Sequence, residues 1–314
     1  MTKVFIVGEA GTTGLRLRTR LSSRPDLELL KINDSLRKDP EELRRPIEKA
    51  DFVFLCLPDE AAIEICKLAK GTKARLIDCS TAHRTALDWT YGFPELSSSH
   101  KESLGSAKYV SSPGCHASGF IALIYPLISQ GILPKDALLA CTSLTGYSGG
   151  GKNMISEYEA TDRNSIFSSP RLYSLEQNHK HLPEIVVQCG LNSAPTFLPI
   201  VGDFYAGMLT TITIHHSQLN KPYDVKALRD CYHKHYDQSP LIHVMDEAPS
   251  ALYAGTFAGR DDMALYVSGN AERLTLCSLF DNLGKGASGA AIQCLNMMCH
   301  LPEETGLVFN QKTN

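Results

Sequence analysis

Residues 109–127 read YVSSPGCHASGFIALIYPL, a strand-like opening that breaks at Pro113-Gly114 and resumes as a mostly apolar helical run. One cysteine, Cys115, stands at the break. The thiolate is the reactive form of cysteine, and the positive end of a helix favours it. Small neighbours, Gly114, Ala117, Ser118 and Gly119, leave room for a carbonyl carbon to approach. The pattern suits a covalent nucleophile. A small buried hydrophobe is the other reading, and it fits most of the remaining nine cysteines.

A nucleophilic thiol needs a group to take its proton. The run Asn178-His179-Lys180-His181-Leu182-Pro183-Glu184 supplies two imidazoles, which titrate near neutral pH. Pro183 disfavours helix at Leu182, so the segment is expected to be extended, with both rings on one face. His181 is preferred over His179 as acid/base because it lies nearer the rigid Pro183. His116 ranks lower, since its side chain should diverge from Cys115 around the helix. As metal ligands the pair is incomplete, and no metal is expected.

These groups must be held by a scaffold. Lys3–Val7 is an apolar strand that ends in Gly8-Glu9-Ala10-Gly11-Thr12-Thr13-Gly14, and Leu15–Leu21 continues with helical spacing. Strand, glycine turn and helix make a dinucleotide-binding layout, in which backbone N–H groups approach a pyrophosphate. The spacing is GxxGxxG, which a plain strand-to-helix turn can also show. Further strands at 27–32, 50–58 and 74–78, separated by helical stretches, predict a parallel sheet covered on both faces. The loop Asn33-Asp34-Ser35-Leu36-Arg37-Lys38 falls where such folds meet the adenosine ribose. Asp34 points to NAD, while Ser35, Arg37 and Lys38 point to the extra phosphate of NADP; NADP(H) is the expectation. A solvated charged turn is the other reading.

Composition narrows the partners. The 314 residues are 43% hydrophobic and 21% charged, with net charge −3, which is ordinary for a globular chain. No basic block implies nucleic acid, and no apolar run approaches the ~20 residues of a membrane helix. The ten cysteines contain no CxxC pair and the opening residues lack a signal-peptide layout. A cytoplasmic protein with reduced thiols is expected.

The ordered motifs Gly8-x-x-Gly11-x-x-Gly14, Asp78-Cys-Ser80-x-x-x-Arg84, Tyr91-Gly-Phe-Pro94-Glu95, Ser112-Pro-Gly-Cys115, Ser148-Gly-Gly-Gly151-Lys152, His179-Lys-His181-x-Pro-Glu184 and Asp281-Asn-Leu-Gly-Lys285-Gly286 closely resemble the N-acetyl-γ-glutamyl-phosphate reductases. The resemblance runs from Val4 to Gly306, with the length of that family's shorter branch. Lys152 stands where many relatives carry arginine, and His116 where an aromatic is common.

The resemblance implies an α/β protein. A Rossmann-type parallel-sheet NADP-binding domain would comprise residues 1–116 and 284–314. A mainly antiparallel α+β domain, residues 117–283, would carry substrate and assembly contacts in a homodimer or homotetramer. It implies reduction of an acyl phosphate by NADPH through a thioester on Cys115, in arginine biosynthesis. Gly8, Gly11, Thr12, Thr13, Gly14, Ser35, Arg37, Lys38 and Asn282 would serve the cofactor. Ser80, Arg84, Ser148 and Lys152 would ring the anionic substrate, unless the two cations pair with Glu95 or Glu157. Two rivals remain open: a sister reductase acting on aspartyl or aminoadipyl phosphate, and a non-catalytic NADP-binding sensor.

Overall fold

The computed structural model describes residues 1–37 and 39–309, in two compact units. One comprises Met1–Pro113 and Ala287–Leu307; the other comprises Gly114–Gly286 with Val308 and Phe309. Cys115 and His116, assigned from sequence to the first domain, pack with the second unit, as do residues 284–286.

In the first unit, strands β1 (Thr2–Val7), β2 (Leu27–Leu30), β3 (Phe52–Leu55), β4 (Arg75–Asp78), β5 (Thr90–Tyr91) and β6 (Tyr109–Ser111) form one sheet. Its order is β2-β1-β3-β4-β6-β5, and every pairing is parallel. Apolar residues on both faces of β1 and β3 explain why helices cover both sides. Val4, Ile6 and Phe54 pack with Leu17 and Leu21 and with Ile292 and Leu295 of the returning helix Gly289–Met298. Phe5, Val7, Val53 and Leu55 pack on the opposite face with Ile47 and Ile65.

The second unit contains β7 (Ala140–Gly146), β8 (Arg171–Leu172), β9 (Thr196–Gly202), β10 (Met208–His215), β11 (Ile242–Val244), β12 (Met263–Gly269) and β13 (Arg273–Phe280). They form a sheet in the order β11-β12-β13-β10-β7-β9-β8. The pairings β12/β13, β13/β10, β10/β7 and β9/β8 are antiparallel, while β11/β12 and β7/β9 are parallel. The sheet is thus mainly antiparallel.

The helix Cys115–Ser129 lies on this sheet. Gly119 allows the approach, because a Cβ there would meet Ser278 Oγ at 2.8 Å and would collide with Thr210 Oγ1. Pro126 inside the helix cannot donate to the Ala122 carbonyl four residues back. The Tyr236 hydroxyl donates to that carbonyl instead (2.7 Å), and Tyr232 donates to the carbonyl of Leu123 (2.5 Å). Both tyrosines come from the helix Val225–Tyr236, which locks the Cys115 helix against a neighbour.

Candidate active site

Cys115 is the first residue of its helix, with Gly114 as the N-cap. No side chain caps the helix end, so its first N–H groups are left for other partners. The backbone around the thiol is fixed from two sides. The Gly114 N–H donates to Glu184 Oε2 at 3.1 Å. Gly286 presses on Cys115 so closely that a Cβ there would stand 2.8 Å from the cysteine Cβ. All ten cysteines are thiols, and Cys115 is partly exposed. Burial pushes several others up: Cys66 to about 12, Cys231 to about 11, Cys141 and Cys189 higher still.

The histidine segment differs from its expected extended form. Leu182 N–H bonds the His179 carbonyl (3.0 Å), and His181 adopts helical φ/ψ as the N-cap of the helix Leu182–Cys189. Pro183 sits in the first helical turn, where its missing N–H costs nothing because that group would lack a helical partner anyway. The two rings still meet: their centroids are 4.7 Å apart and nearly perpendicular. His181 is buried and His179 half-buried. The His181 backbone N–H donates to His179 Nδ1 (3.1 Å). When neutral, His179 therefore carries its proton on Nε2 and offers a donor.

His116 belongs to this cluster rather than diverging from it. Its ring lies 5.3 Å from that of His179 and 5.6 Å from that of His181. Nδ1 pairs with Ser143 Oγ (2.7 Å) and Nε2 with the Tyr173 hydroxyl (3.0 Å). Burial, then the neighbouring His179 and Lys180, push its pKa down to about 3. His116 is therefore uncharged at neutral pH.

In the first unit the glycine turn has the shape a pyrophosphate needs. Gly8 sits at φ +85°, and a Cβ there would collide with the Cys56 carbonyl. A Cβ on Gly14 would collide with the Gly8 carbonyl and stand 2.7 Å from Glu9 Cα. Gly11 caps the helix Thr12–Leu21. Its first helical hydrogen bond is Leu15 N–H to the Gly11 carbonyl (2.8 Å), so the N–H groups of Thr12, Thr13 and Gly14 precede the helical ladder. Thr12 Oγ1 is buried without a partner among the described residues. These features fit a dinucleotide phosphate. Ser35 is held by Asn33, whose Oδ1 accepts from both its N–H and hydroxyl. Arg37 is exposed, and Lys38 lies outside the described residues.

Ser80 is turned inward: its hydroxyl donates to Asp78 Oδ2 (2.8 Å) and its N–H to Asp78 Oδ1 (2.8 Å). Buried Arg84 reaches the carbonyls of Ser112 (2.9 Å) and Cys79 (3.3 Å). In the second unit Ser148 and Asn282 meet directly. The Asn282 amide donates to Ser148 Oγ (3.0 Å) and accepts the Gly207 N–H (2.9 Å). Asn282 thereby ties three loops of its own unit together. Lys152 is exposed in the first turn of the helix Gly151–Glu159, and Glu157 pairs at 4.0 Å with Arg171.

Sequence reasoning assigned no role to Glu184, Ser143, Tyr173 or Gln177. Glu184 was within reach, standing three residues after His181 on the same turn. The others come from separate segments that only the sheet brings together. No helix among the described residues is long and apolar enough to cross a membrane.

Residues 3–104 match the family model described as the semialdehyde dehydrogenase NAD binding domain, and residues 115–282 that of the semialdehyde dehydrogenase dimerisation domain. The N-acetyl-gamma-glutamyl-phosphate reductase 2 of Nostoc sp. is 41% identical over 318 aligned residues, spanning 97% of this chain and 99% of its own. The N-acetyl-gamma-glutamyl-phosphate reductase of Brucella ovis is 40% identical over 306, spanning 94% and 98%. Among solved structures, aspartate semialdehyde dehydrogenase II of Vibrio cholerae, complexed with ASA, superposes with TM-score 0.74 at 15% identity, covering 96% of this chain and 98% of that one. The aspartate semialdehyde dehydrogenase of Francisella tularensis gives 0.73 at 13%, covering 95% and 100%. At those identities the two solved structures share the fold.

Proposed function

The chain belongs to the N-acetyl-gamma-glutamyl-phosphate reductases of the semialdehyde dehydrogenase family, and from that premise we propose how its residues divide the reaction. The substrate is N-acetyl-γ-glutamyl phosphate, and the products are N-acetylglutamate 5-semialdehyde and phosphate, a step of arginine biosynthesis. The Cys115 thiolate attacks the acyl carbon, the carbon–oxygen bond to phosphate breaks, and a thioester remains. His181 takes the thiol proton before the attack. His179, a donor through Nε2, hydrogen-bonds the acyl oxygen. Splitting the reduction into acylation and hydride steps is ordinary covalent catalysis.

A nicotinamide cofactor supplies the hydride when bound. Gly8, Gly11, Thr12, Thr13 and Gly14 hold its pyrophosphate. Ser35, Arg37 and Lys38 select NADP(H) by meeting the 2′-phosphate. Asn282 acts on the nicotinamide side by holding the Ser148 loop in place. Arg84 and Lys152, with Ser80 and Ser148, meet the substrate's anionic groups. The working protein is a cytoplasmic homodimer or homotetramer.

The observation that carries this reading is a partly exposed thiol at a helix start, with Gly286 pressed on its Cβ. The test is kcat/KM for three acyl phosphates, N-acetylglutamyl, aspartyl and aminoadipyl, with NADPH. A preference of about 10² or more for the N-acetylglutamyl compound is expected, because a pocket built to bond a substrate amide rejects analogues without it. Preference for either rival would overturn the substrate assignment.

A further inference from the structure

The loop Tyr173–His181 is built with more constraint than a connector needs. Ser174 (φ +52°) and Gln177 (φ +59°) both occupy the left-handed region, which neither residue type favours. Such strain persists only where its surroundings over-determine it. The Gln177 side chain supplies the clamp. Its Nε2 donates to the Phe197 carbonyl (2.9 Å) and its Oε1 accepts the Phe197 N–H (2.8 Å). Tyr173 N–H donates to the Pro199 carbonyl (3.1 Å). The loop is thus stitched to β9 at two points, one on either side of its strained turn.

The stitching fixes one polar group that nothing above uses. The Tyr173 hydroxyl is bonded to His116 Nε2 at 3.0 Å, and its ring lies 5.8 Å from that of His179. Behind it runs a buried chain, His116 Nδ1 to Ser143 Oγ (2.7 Å) and Ser143 Oγ to Thr210 Oγ1 (3.1 Å). Burying three polar side chains under the Cys115 helix costs stability unless each is bonded, and here each is. Burial and then the charge of an ionised Cys115 push the Tyr173 phenol up. It remains a donor at neutral pH, and it shares the cysteine's electrostatic surroundings.

Resting on the function just proposed, we propose that Tyr173 is a further catalytic residue whose hydroxyl donates a hydrogen bond to the acyl oxygen of the Cys115 thioester. His116 and Gln177 are its positioning residues. His116 Nε2–H donates to the tyrosine oxygen, which leaves the phenolic O–H to point at the substrate. Ser143 donates to Nδ1 and Thr210 to Ser143. In the hydride step, the acyl carbon of the thioester would accept a hydride with its electron pair, the chemistry a bound nicotinamide would supply. The carbon–oxygen π pair moves onto oxygen, and Tyr173 stabilises that charge without giving up its proton. The alkoxide then re-forms the carbonyl as the carbon–sulfur bond breaks, which releases the aldehyde and the Cys115 thiolate. The acylation step needs this donor less, because His179 hydrogen-bonds the same oxygen and phosphate is a good leaving group.

The experiment separates the two steps in Tyr173→Phe, which keeps the ring and removes only the hydroxyl. Phosphate release from the acyl phosphate without NADPH reads acylation by quenched flow; NADPH oxidation reads turnover. The expected result is a phosphate burst at the unaltered rate with turnover reduced about 10–100-fold, toward the lower end of losses seen for single oxyanion donors. Gln177→Ala should show the same step-selective defect in milder form, with NADPH affinity intact as the check of folding. Turnover within twofold of the unaltered protein in Tyr173→Phe overturns the proposal. Equal loss of burst and turnover also overturns it, since that marks a purely structural role. Absence of any burst in the unaltered protein instead removes the thioester reading, and this proposal with it.

Discussion

The two units make their sites by opposite means. At the glycine turn the chain leaves side chains out. Gly8 and Gly14 are there because a Cβ at either would run into backbone, and in the proposed function the N–H groups of the following helix meet the pyrophosphate. Around Cys115 the chain packs side chains in. The His116, His179 and His181 ring centroids lie 4.7–5.6 Å from one another, and Phe197 lies 5.0–5.3 Å from His116 and His179. A site made by omission is local, because seven consecutive residues suffice. A site made by packing draws on residues from 115 to 286, which only a folded sheet can assemble.

The comparison breaks most sharply at the turn. Gly14→Val should weaken nicotinamide cofactor binding by about 10³-fold, since backbone must move before pyrophosphate can approach. Cys115 alkylation by iodoacetamide should stay within a factor of about three, because the thiol belongs to the other unit's packing. Titration of cofactor fluorescence and the alkylation rate check the two halves; parallel loss of both would contradict the division.

Next in size are the histidines. His181→Asn should lower turnover by about 10²-fold, in the range of a lost general base, and should flatten the acid limb of the alkylation pH profile. His179→Asn should lower turnover less and leave that limb in place. If the two variants exchange behaviours, the base is His179.

His116 sharpens the comparison through stability. Its pKa is about 3 when folded and ordinary when unfolded, about 6.5. Between those values the unfolded chain binds the extra proton, so stability rises with pH through this window and is fully present above about 6.5. At pH 5 the loss is about 2 kcal/mol relative to neutral pH, roughly a factor of 30. Denaturant midpoints at pH 5 and 7.5 should therefore converge by about that amount in His116→Gln. An unchanged gap would mean that His116 is not held neutral.

The smallest effect is at the adenosine end. Arg37→Ala should weaken NADPH about tenfold and leave NADH nearly unaffected, as expected for one exposed charge-assisted contact. Equal weakening of both cofactors would remove Arg37 from the 2′-phosphate.

What could be read beforehand follows the same contrast. The parallel sheet was legible because strands such as Phe52–Leu55 are apolar on both faces, a pattern that few other arrangements explain. Cys115 and the paired histidines were legible as types at telling positions. The shape of the histidine segment was not. Pro183 argues against helix at the preceding residue, yet Leu182 and Pro183 form a helix's first turn, where proline's defects are harmless. Nor was Tyr173 visible, since its role depends on Gln177 reaching β9 and on two residues held at positive φ. Helix geometry alone turns His116 away from Cys115; what draws it into the cluster is the loop bearing Tyr173 and His179, which folds over it.

The central claim is that the acyl group is carried by Cys115. It is tested most directly by mixing the protein with N-acetyl-γ-glutamyl phosphate in the absence of NADPH, quenching in acid within milliseconds, and mapping the peptides by mass. The account predicts an N-acetylglutamyl adduct on the peptide containing Cys115, lost in Cys115→Ser and discharged as aldehyde when NADPH is added before the quench. Turnover by Cys115→Ser within tenfold of the unaltered protein, or an adduct on any other cysteine, would contradict it.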